Sequence, residues 1–469
     1  MRTKIICTIG PASDSPGILK ELVQSGIRMF RLNFSHGSAK DFQTLVRRLR
    51  DVEEATGAQI TLLQDLSGPK IRTGELPQSP LKVSEGETVL MGDPDSRPDG
   101  GENFIPFDHP ELIDELSPGD TVRLSDGGLK FRVESKKGRV LTLLSMTPGL
   151  ITSRKGVSFP GKKSKLPALT EKDKVDLEQG LELGMDAVAL SFVQGPEDIA
   201  RAKSVITRKG YRTPVIAKLE RQVAVDRLEE ILNIADGVMV ARGDLGLECP
   251  LASLPTLQKR IIRACNRRSK PVIVATQMLL SMVDNSMPTR AETTDVANAI
   301  LDGADALMLS EETAVGKYPV QCVQYMTDIA RAAEELYFES DPEPIRQSGN
   351  SPESYLSYAA CLLAGNIKGR ALVAHTDSGS TARLLSACRP AQEIFGLTPF
   401  KAVAKYLNLS WGVKPVLIPE EPEDHLRRVE KYIQENQDFH SGEKLVITAG
   451  HPKSGQTHAP TNLLKIFVK

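Results

Sequence analysis

The chain lacks paired cysteines. Its six, Cys7, Cys249, Cys265, Cys322, Cys361 and Cys388, are scattered along 469 residues without one C-x-x-C, which removes support for zinc-ribbon and dithiol-redox readings. Isolated thiols of this kind pack as small hydrophobes and fit a reducing compartment. There is no excess of charge of either sign: 59 basic against 60 acidic residues leave a formal charge of -1. That balance, with only 5% aromatic residues, argues against a nucleic-acid partner held by bulk positive charge. No apolar run approaches the ~20 residues of a membrane span, so no membrane partner is expected. Met1-Arg2-Thr3 leads directly into the apolar Ile5-Ile6-Cys7, so no secretory leader is expected either and a cytoplasmic setting is. Neither G-x-x-x-x-G-K-[ST] nor G-x-G-x-x-G occurs at a strand–helix junction, so a bound nucleotide would use neither common phosphate cradle.

What is present is a repeated pattern. Hydrophobic residues, 40% of the chain, gather in short runs that end in a polar or Gly-rich turn and are followed by a helix-like stretch. The runs are 4–9, 29–33, 60–64, 187–192, 215–219, 237–241, 272–275 and 306–309, with amphipathic segments such as 17–25 and 255–268 between them. Alternating strand and helix imply a parallel sheet, and eight units imply an α/β fold of the (β/α)8 TIM-barrel type, with its site at the carboxyl ends of the strands. Between runs three and four the texture changes. Pro, Gly and Asp cluster in 92–101, and short β-like pieces at 88–91, 121–124, 131–133 and 140–144 are separated by turns such as Asp126-Gly127-Gly128. This predicts a small all-β domain, a β-barrel lid over 70–169, inserted into a catalytic barrel of 1–69 and 170–337. A break at Ser340-Asp-Pro-Glu-Pro344 opens a C-terminal α/β domain over 338–469, with strands expected at 371–374, 394–396, 415–417 and 445–447.

The strand ends carry the candidate chemistry. Glu220 and Asp244 follow adjacent strands five and six and suit one Mg2+ or Mn2+, hard cations that prefer oxygen. Lys218 lies two residues before Glu220 and so on the same side of its strand. An ammonium and a divalent ion around one anionic substrate suit enolate or phosphoryl chemistry, where charge develops on oxygen. The Gly243-Asp244-Leu245-Gly246 turn can offer backbone N–H groups to a carboxylate. Arg31 and Arg72 add planar phosphate-binding forks.

These residues resemble the pyruvate kinase family. The matching stretches are Lys4-Ile-Ile-Cys-Thr-Ile-Gly-Pro-Ala-Ser13, Arg31-Leu-Asn-Phe-Ser-His-Gly37, Ala217-Lys-Leu-Glu220, Met239-Val-Ala-Arg-Gly-Asp-Leu-Gly246, Ala275-Thr-Gln-Met278 and Pro288-Thr-Arg-Ala-Glu-Thr-Thr-Asp-Val-Ala-Asn298. The resemblance runs nearly end to end. It implies a glycolytic phosphotransferase that moves the phosphoryl group of phosphoenolpyruvate to ADP, giving pyruvate and ATP. It implies Glu220 and Asp244 as ligands of Mg2+ (or Mn2+), and Lys218 and Arg31 at the transferred phosphoryl group. It places Gly243, Asp244 and Thr276 at the substrate carboxylate, with Thr276 on the proton-delivery side. It puts Asn33, Ser35, His36 and Lys155 on the nucleotide or ion side. A homotetramer and a C-terminal effector site are further implications.

Strand three departs from the family pattern. Many members have Glu where this chain has Lys70, and Thr where it has Leu66; they bind K+ with the counterparts of Asn33, Ser35 and Asp65. A lysine there puts a fixed ammonium near that place, so the enzyme is expected to need a divalent metal but not K+. Gln194 stands where Arg is common, and Glu311, where a small residue is common, is expected at a solvent-facing rim. In the C-terminal domain, Thr376, Ser378, Gly379, Ser380 and Thr381 precede a helix, a setting that favours phosphate, and Lys453 on a late loop can add a cation. A basic residue usual after the loop glycine in bisphosphate-binding relatives is replaced by Ser380, so the expected effector is a monophosphate, a sugar phosphate or AMP. A barrel lyase or aldolase acting on a pyruvate enolate, and a non-catalytic metabolite sensor on the same fold, are the competing readings. The lyase would need no lid or nucleotide side, and the sensor would be expected to lose Lys218, Glu220, Asp244 or Thr276.

Overall fold

The computed structural model describes residues 1–69, 71–98, 103–124, 127–347, 351–421, 424–450 and 461–469. Lys70, Asp126 and the 451–460 loop with Lys453 lie outside the described residues. Eight parallel strands, Lys4–Thr8, Met29–Asn33, Thr61–Asp65, Ala187–Leu190, Val215–Leu219, Gly237–Ala241, Val272–Ala275 and Ala306–Leu309, close into a barrel. They neighbour one another in chain order, and strand one closes on strand eight. Every position of strands three to eight is buried. Helices cover the outside and side chains fill the inside, which is why these strands read as unbroken apolar runs.

Some of the helices begin where side chains satisfy their free N–H groups. Thr170 with Asp173 and Thr289 with Glu292 form reciprocal caps at 171–183 and 290–301. Glu292 also accepts from the Ser281 amide at 2.7 Å. The Pro288–Glu292 stretch of the 288–298 motif is therefore a helix start that ties down the loop after strand seven.

The inserted segment is all-β. Its described strands form an open six-stranded sheet, with Leu129–Lys137 and Val140–Ser145 at the centre, plus a two-stranded ribbon of Leu81–Val83 with Gly149–Ile151. The expected closure into a β-barrel is not made among the described residues. The short strands Phe104–Pro106 and Val157–Ser158 stand at opposite edges instead. Phe107, Phe131 and Phe159 anchor a separate core.

The C-terminal sheet runs in the order Val413–Leu417, Glu393–Thr398, Ala371–His375, Lys444–Gly450, Thr461–Val468, with only the last antiparallel. The order reverses between Ala371–His375 and Lys444–Gly450. At the far end of the barrel from the strand carboxyl ends, this domain supplies the floor. Leu409 is fully buried among barrel-lining Ile6, Met29, Leu63, Ile216 and Met239. The Tyr406 hydroxyl donates to the Asp236 carbonyl at 2.5 Å. Lys405 bridges Glu53 and Asp186 at 3.4 and 3.2 Å. Among the described residues, no helix is long and apolar enough to cross a membrane.

Candidate active site

Lys218 is the hub of the barrel mouth. It projects inward from strand five, and its Nζ reaches Asp65 Oδ1 at 3.1 Å, Ser191 Oγ at 2.6 Å and Glu220 Oε1 at 2.8 Å. Lys218 and Glu220 meet because they are two residues apart along the strand. Asp65 also accepts from Arg31 Nε at 2.6 Å, and Arg31 donates onward to Thr8 Oγ1 at 3.0 Å. Burial works against the Lys218 charge, but Asp65 and Glu220 outweigh it and hold the ammonium above the ordinary lysine range. Burial likewise opposes the Asp65 charge, yet Lys218 and Arg31 keep that carboxyl below its usual value.

Glu220 behaves differently. Burial lifts it, Lys218 offsets this only in part, and the neighbouring Asp244 adds repulsion, so its carboxyl is pushed up to about 7. Its second oxygen accepts from the Phe192 amide at 2.5 Å. Two acids from adjacent strand ends thus face one cleft, with the Lys218 ammonium beside Glu220. An all-oxygen donor pair of this kind fits a hard divalent cation.

The cleft has a volume of about 350 Å³, and Arg31, Asn33, Ser35, His36, Arg72, Lys218, Glu220 and Asp244 line it. His36 and Arg72 are exposed at its rim. Asn33 Oδ1 accepts from the Ser35 amide at 3.1 Å. Gly243 and Thr276 line an adjoining, larger groove, with Asp244 common to both. In this arrangement the Gly243 N–H donates to Thr276 Oγ1 at 2.8 Å, so a carboxylate would share or replace that bond. Lys155 is exposed in the loop just before the lid strand Val157–Ser158 and lines neither cavity. The Leu66 side chain is buried in the core outside the barrel, and only its backbone turns inward, its carbonyl accepting from Ser191 at 2.7 Å.

Several residues of this site carry no signal of their own in the sequence. Ser191 joins Lys218 to strand three. Arg242 donates to the Thr276 carbonyl at 2.9 Å and pairs with Asp295 at 2.6 Å. It thereby holds the turn in which Thr276 and Gln277 take positive φ of 71° and 53°. Gly68 also has a positive φ, of 64°, and a Cβ there would come within 2.7 Å of the Phe192 ring; only glycine lets strands three and four close up. Gln194 is buried and joins the barrel to the lid's return segment. It accepts from the Ser164 amide at 2.7 Å and donates to the Ser164 and Leu166 carbonyls. Glu311 is exposed, whereas Glu312 beside it is buried and accepts from the Leu279 and Ser310 amides.

In the C-terminal domain the Ser378 and Ser380 hydroxyls are exposed and 3.1 Å apart. Thr376 is buried, and Thr381 bonds Thr461 at 2.6 Å inside the fold. Gly379 has a φ of 80°, and Arg383 donates to the Ser378 carbonyl at 3.0 Å. Beside this loop His375 stacks on His425, ring centroids 4.0 Å apart. Burial, His425 and Arg428 hold His375 down to about 3. Arg428 donates to His375 Nε2 at 3.3 Å. Nε2 of His375 therefore accepts, and His375, Asp377 and His425 bring one side-chain N or O atom each within 4.8 Å of one another.

Known proteins match this architecture throughout. The family model for the pyruvate kinase barrel domain matches residues 1–323, and that for the pyruvate kinase alpha/beta domain matches 355–467. A pyruvate kinase of Agrobacterium vitis is 43% identical over 477 aligned residues, covering 99% of this chain and 96% of its own length. One from Mycobacterium intracellulare is 40% identical, covering 99% and 98%. A crystal structure of a pyruvate kinase from Cryptosporidium parvum superposes with a TM-score of 0.90 at 31% identity, covering 100% of this chain and 96% of that one. With both family models matched in order on one chain, and relatives aligned over nearly its whole length, this chain belongs to the pyruvate kinase family.

Proposed function

We propose that the chain transfers the phosphoryl group of phosphoenolpyruvate to ADP in glycolysis, and that Glu220 and Asp244 hold the Mg2+ (or Mn2+) this requires. The observation that carries the reading is the buried Lys218 ammonium, gripped by Asp65, Ser191 and Glu220, with Arg31 alongside and Asp244 opposite. The bound divalent ion would supply neutralisation of charge on phosphoryl and enolate oxygens. The protein's own part is positioning and charge compensation. Lys218 and Arg31 face the transferred group, with Arg72 at the rim. Gly243 and Thr276 orient the carboxylate, and Thr276 lies where the enolate carbon receives its proton. Asn33, His36 and Lys155 form the nucleotide side, and the lid excludes water. A cytoplasmic homotetramer is the state we assign, on family resemblance.

The finer reading of strand three is that Lys70 replaces the monovalent ion, standing in for a K+ that relatives hold near the counterparts of Asn33, Ser35, Asp65 and Leu66. A coupled assay of pyruvate and ATP formation, in tetramethylammonium buffer with and without KCl, tests both levels. Turnover that requires ADP and a divalent ion, and changes less than about twofold with K+, is the expected result. Absence of ATP formation would overturn the reaction; strong K+ activation would overturn only the role of Lys70.

The C-terminal loop is read as an effector site for a phosphomonoester. It lies at the carboxyl ends of the sheet where strand order reverses, the usual ligand crevice of such sheets. Ser378, Gly379 and Ser380, flanked by Thr376 and Thr381, would receive the phosphate. Arg383, one turn on, offers a nearby cation, and Lys453 is a further candidate. At subsaturating phosphoenolpyruvate, sugar monophosphates or AMP should raise the rate. Activation by a sugar bisphosphate alone would sink this assignment.

A further inference from the structure

The reaction proposed above leaves Arg123 without a role, although it borders both cavities at the barrel mouth. It lies on the lid strand Thr121–Leu124 and reaches across to the barrel. Its Nη1 donates to the carbonyls of Leu247 at 2.6 Å and Gly246 at 3.2 Å. These carbonyls end the helix Arg242–Glu248, which begins directly after barrel strand six and carries Asp244 in its first turn. The last four carbonyls of a helix have no partner within it. Leu245 is served by the Cys249 amide at 3.1 Å, and Gly246 and Leu247 are served by the lid's guanidinium. A cation at this end is also favoured by the helix dipole.

The same junction is made again in the opposite direction. Arg221, one residue past Glu220, donates from the barrel to the Lys162 carbonyl of the lid at 3.1 Å. Glu248 sits between the two arginines, with Arg221 Nε 3.9 Å from its Oε2. On the lid side Gly127 packs so closely that a Cβ would stand 2.5 Å from Leu247 Cδ2. The helix spans only seven residues, about 10 Å at 1.5 Å per residue. A shift of its gripped end therefore moves Asp244 with it.

We infer that Arg123 is a positioning residue, a lid-borne latch that caps helix 242–248 and so couples the closed lid to the placement of Asp244 at the metal and substrate. The inference rests on the proposed role of Asp244, but the latch itself can be read without turnover. Arg123→Met and Arg123→Lys are made in the full-length enzyme. Amide hydrogen exchange of the metal-free protein should rise about tenfold or more across 245–249 in Arg123→Met, less in Arg123→Lys, with the thermal midpoint nearly unchanged. In assays, half-saturating divalent ion and phosphoenolpyruvate should rise roughly tenfold, in the range for residues that orient metal ligands, while KM for ADP stays within about twofold. A lower thermal midpoint with unchanged exchange at 245–249 and unchanged half-saturation would reduce Arg123 to a structural residue and overturn the latch. Should Arg123→Met not fold, the same two readouts on Arg123→Lys decide. If wild-type enzyme makes no ATP, the proposed function falls, and the exchange measurement still judges the latch.

Discussion

Replacing Lys218 by methionine is expected to lower turnover by roughly 10²–10³-fold, the effect of removing a group that faces developing charge. Phosphoenolpyruvate should still bind in the presence of a divalent ion. The stem of methionine fills nearly the same volume, so what is lost is the ammonium. Asp65 keeps its 2.6 Å bond from Arg31, and Glu220 keeps the Phe192 amide at 2.5 Å. Both carboxylates that Lys218 pairs with therefore keep a donor, and Glu220 faces less positive charge that would compete with a cation. Equilibrium binding of phosphoenolpyruvate with Mn2+, measured alongside the coupled assay, separates the two functions. Wild-type turnover in Lys218→Met would refute the assigned role. Loss of binding equal to the loss of turnover would make Lys218 a binding residue instead.

How much of this was legible in the sequence depends on how local the signal is. The barrel strands are four or five residues long and buried on both faces, so Val215–Leu219 or Gly237–Ala241 shows as an apolar run ended by charge. Lys218, Glu220 and Asp244 stand out for the same reason: ionisable residues at the end of such a run have few structural excuses. The short lid strands Phe104–Pro106 and Val157–Ser158 offer too few residues for any alternation. The final strand, Thr461–Val468, is an edge strand with mixed exposure, so its pattern resembles a loop. Ser191 and Arg242 act through partners contributed by other strands, and nothing in their immediate sequence points across the barrel. Arg123 is the extreme case. On its own strand it alternates with buried Val122 and Leu124, the pattern of a solvated sheet face, and only the docked lid turns it into a helix cap. Gln194 departs from the family pattern, but its meaning lies in backbone groups some thirty residues earlier in the chain.

The second large effect is expected far from the chemistry. Leu409→Ala should destabilise the enzyme by about 2–5 kcal/mol, the usual cost of emptying a packed leucine site. The lining of the barrel includes Ala187, Ala189, Ala275 and Ala306 beside Ile6, Met29, Leu63 and Met239. Ala187 and Ala306 begin their strands and leave room at the lower end, and the C-terminal domain fills it with Leu409, fully buried in the same cluster. Neighbouring bonds fix the insertion: Asn408 donates to the Gln59 carbonyl at 2.8 Å, and Thr61 donates to the Lys405 carbonyl at 2.6 Å. Because these partners are held by the backbone and by polar side chains, the cavity cannot collapse easily, which places the cost toward the upper part of that range. The chain's one tryptophan, Trp411, is two residues away, buried beneath Arg389 at 4.8 Å and beside Phe338. Its fluorescence therefore reports this junction directly. In urea the wild type should lose Trp411 fluorescence and helical circular dichroism together, since the floor joins the two domains. In Leu409→Ala the fluorescence transition should move to lower urea and precede the loss of helix. Coincident transitions at the wild-type midpoint would mean that the barrel is packed without its neighbour and that Leu409 is only resting against it.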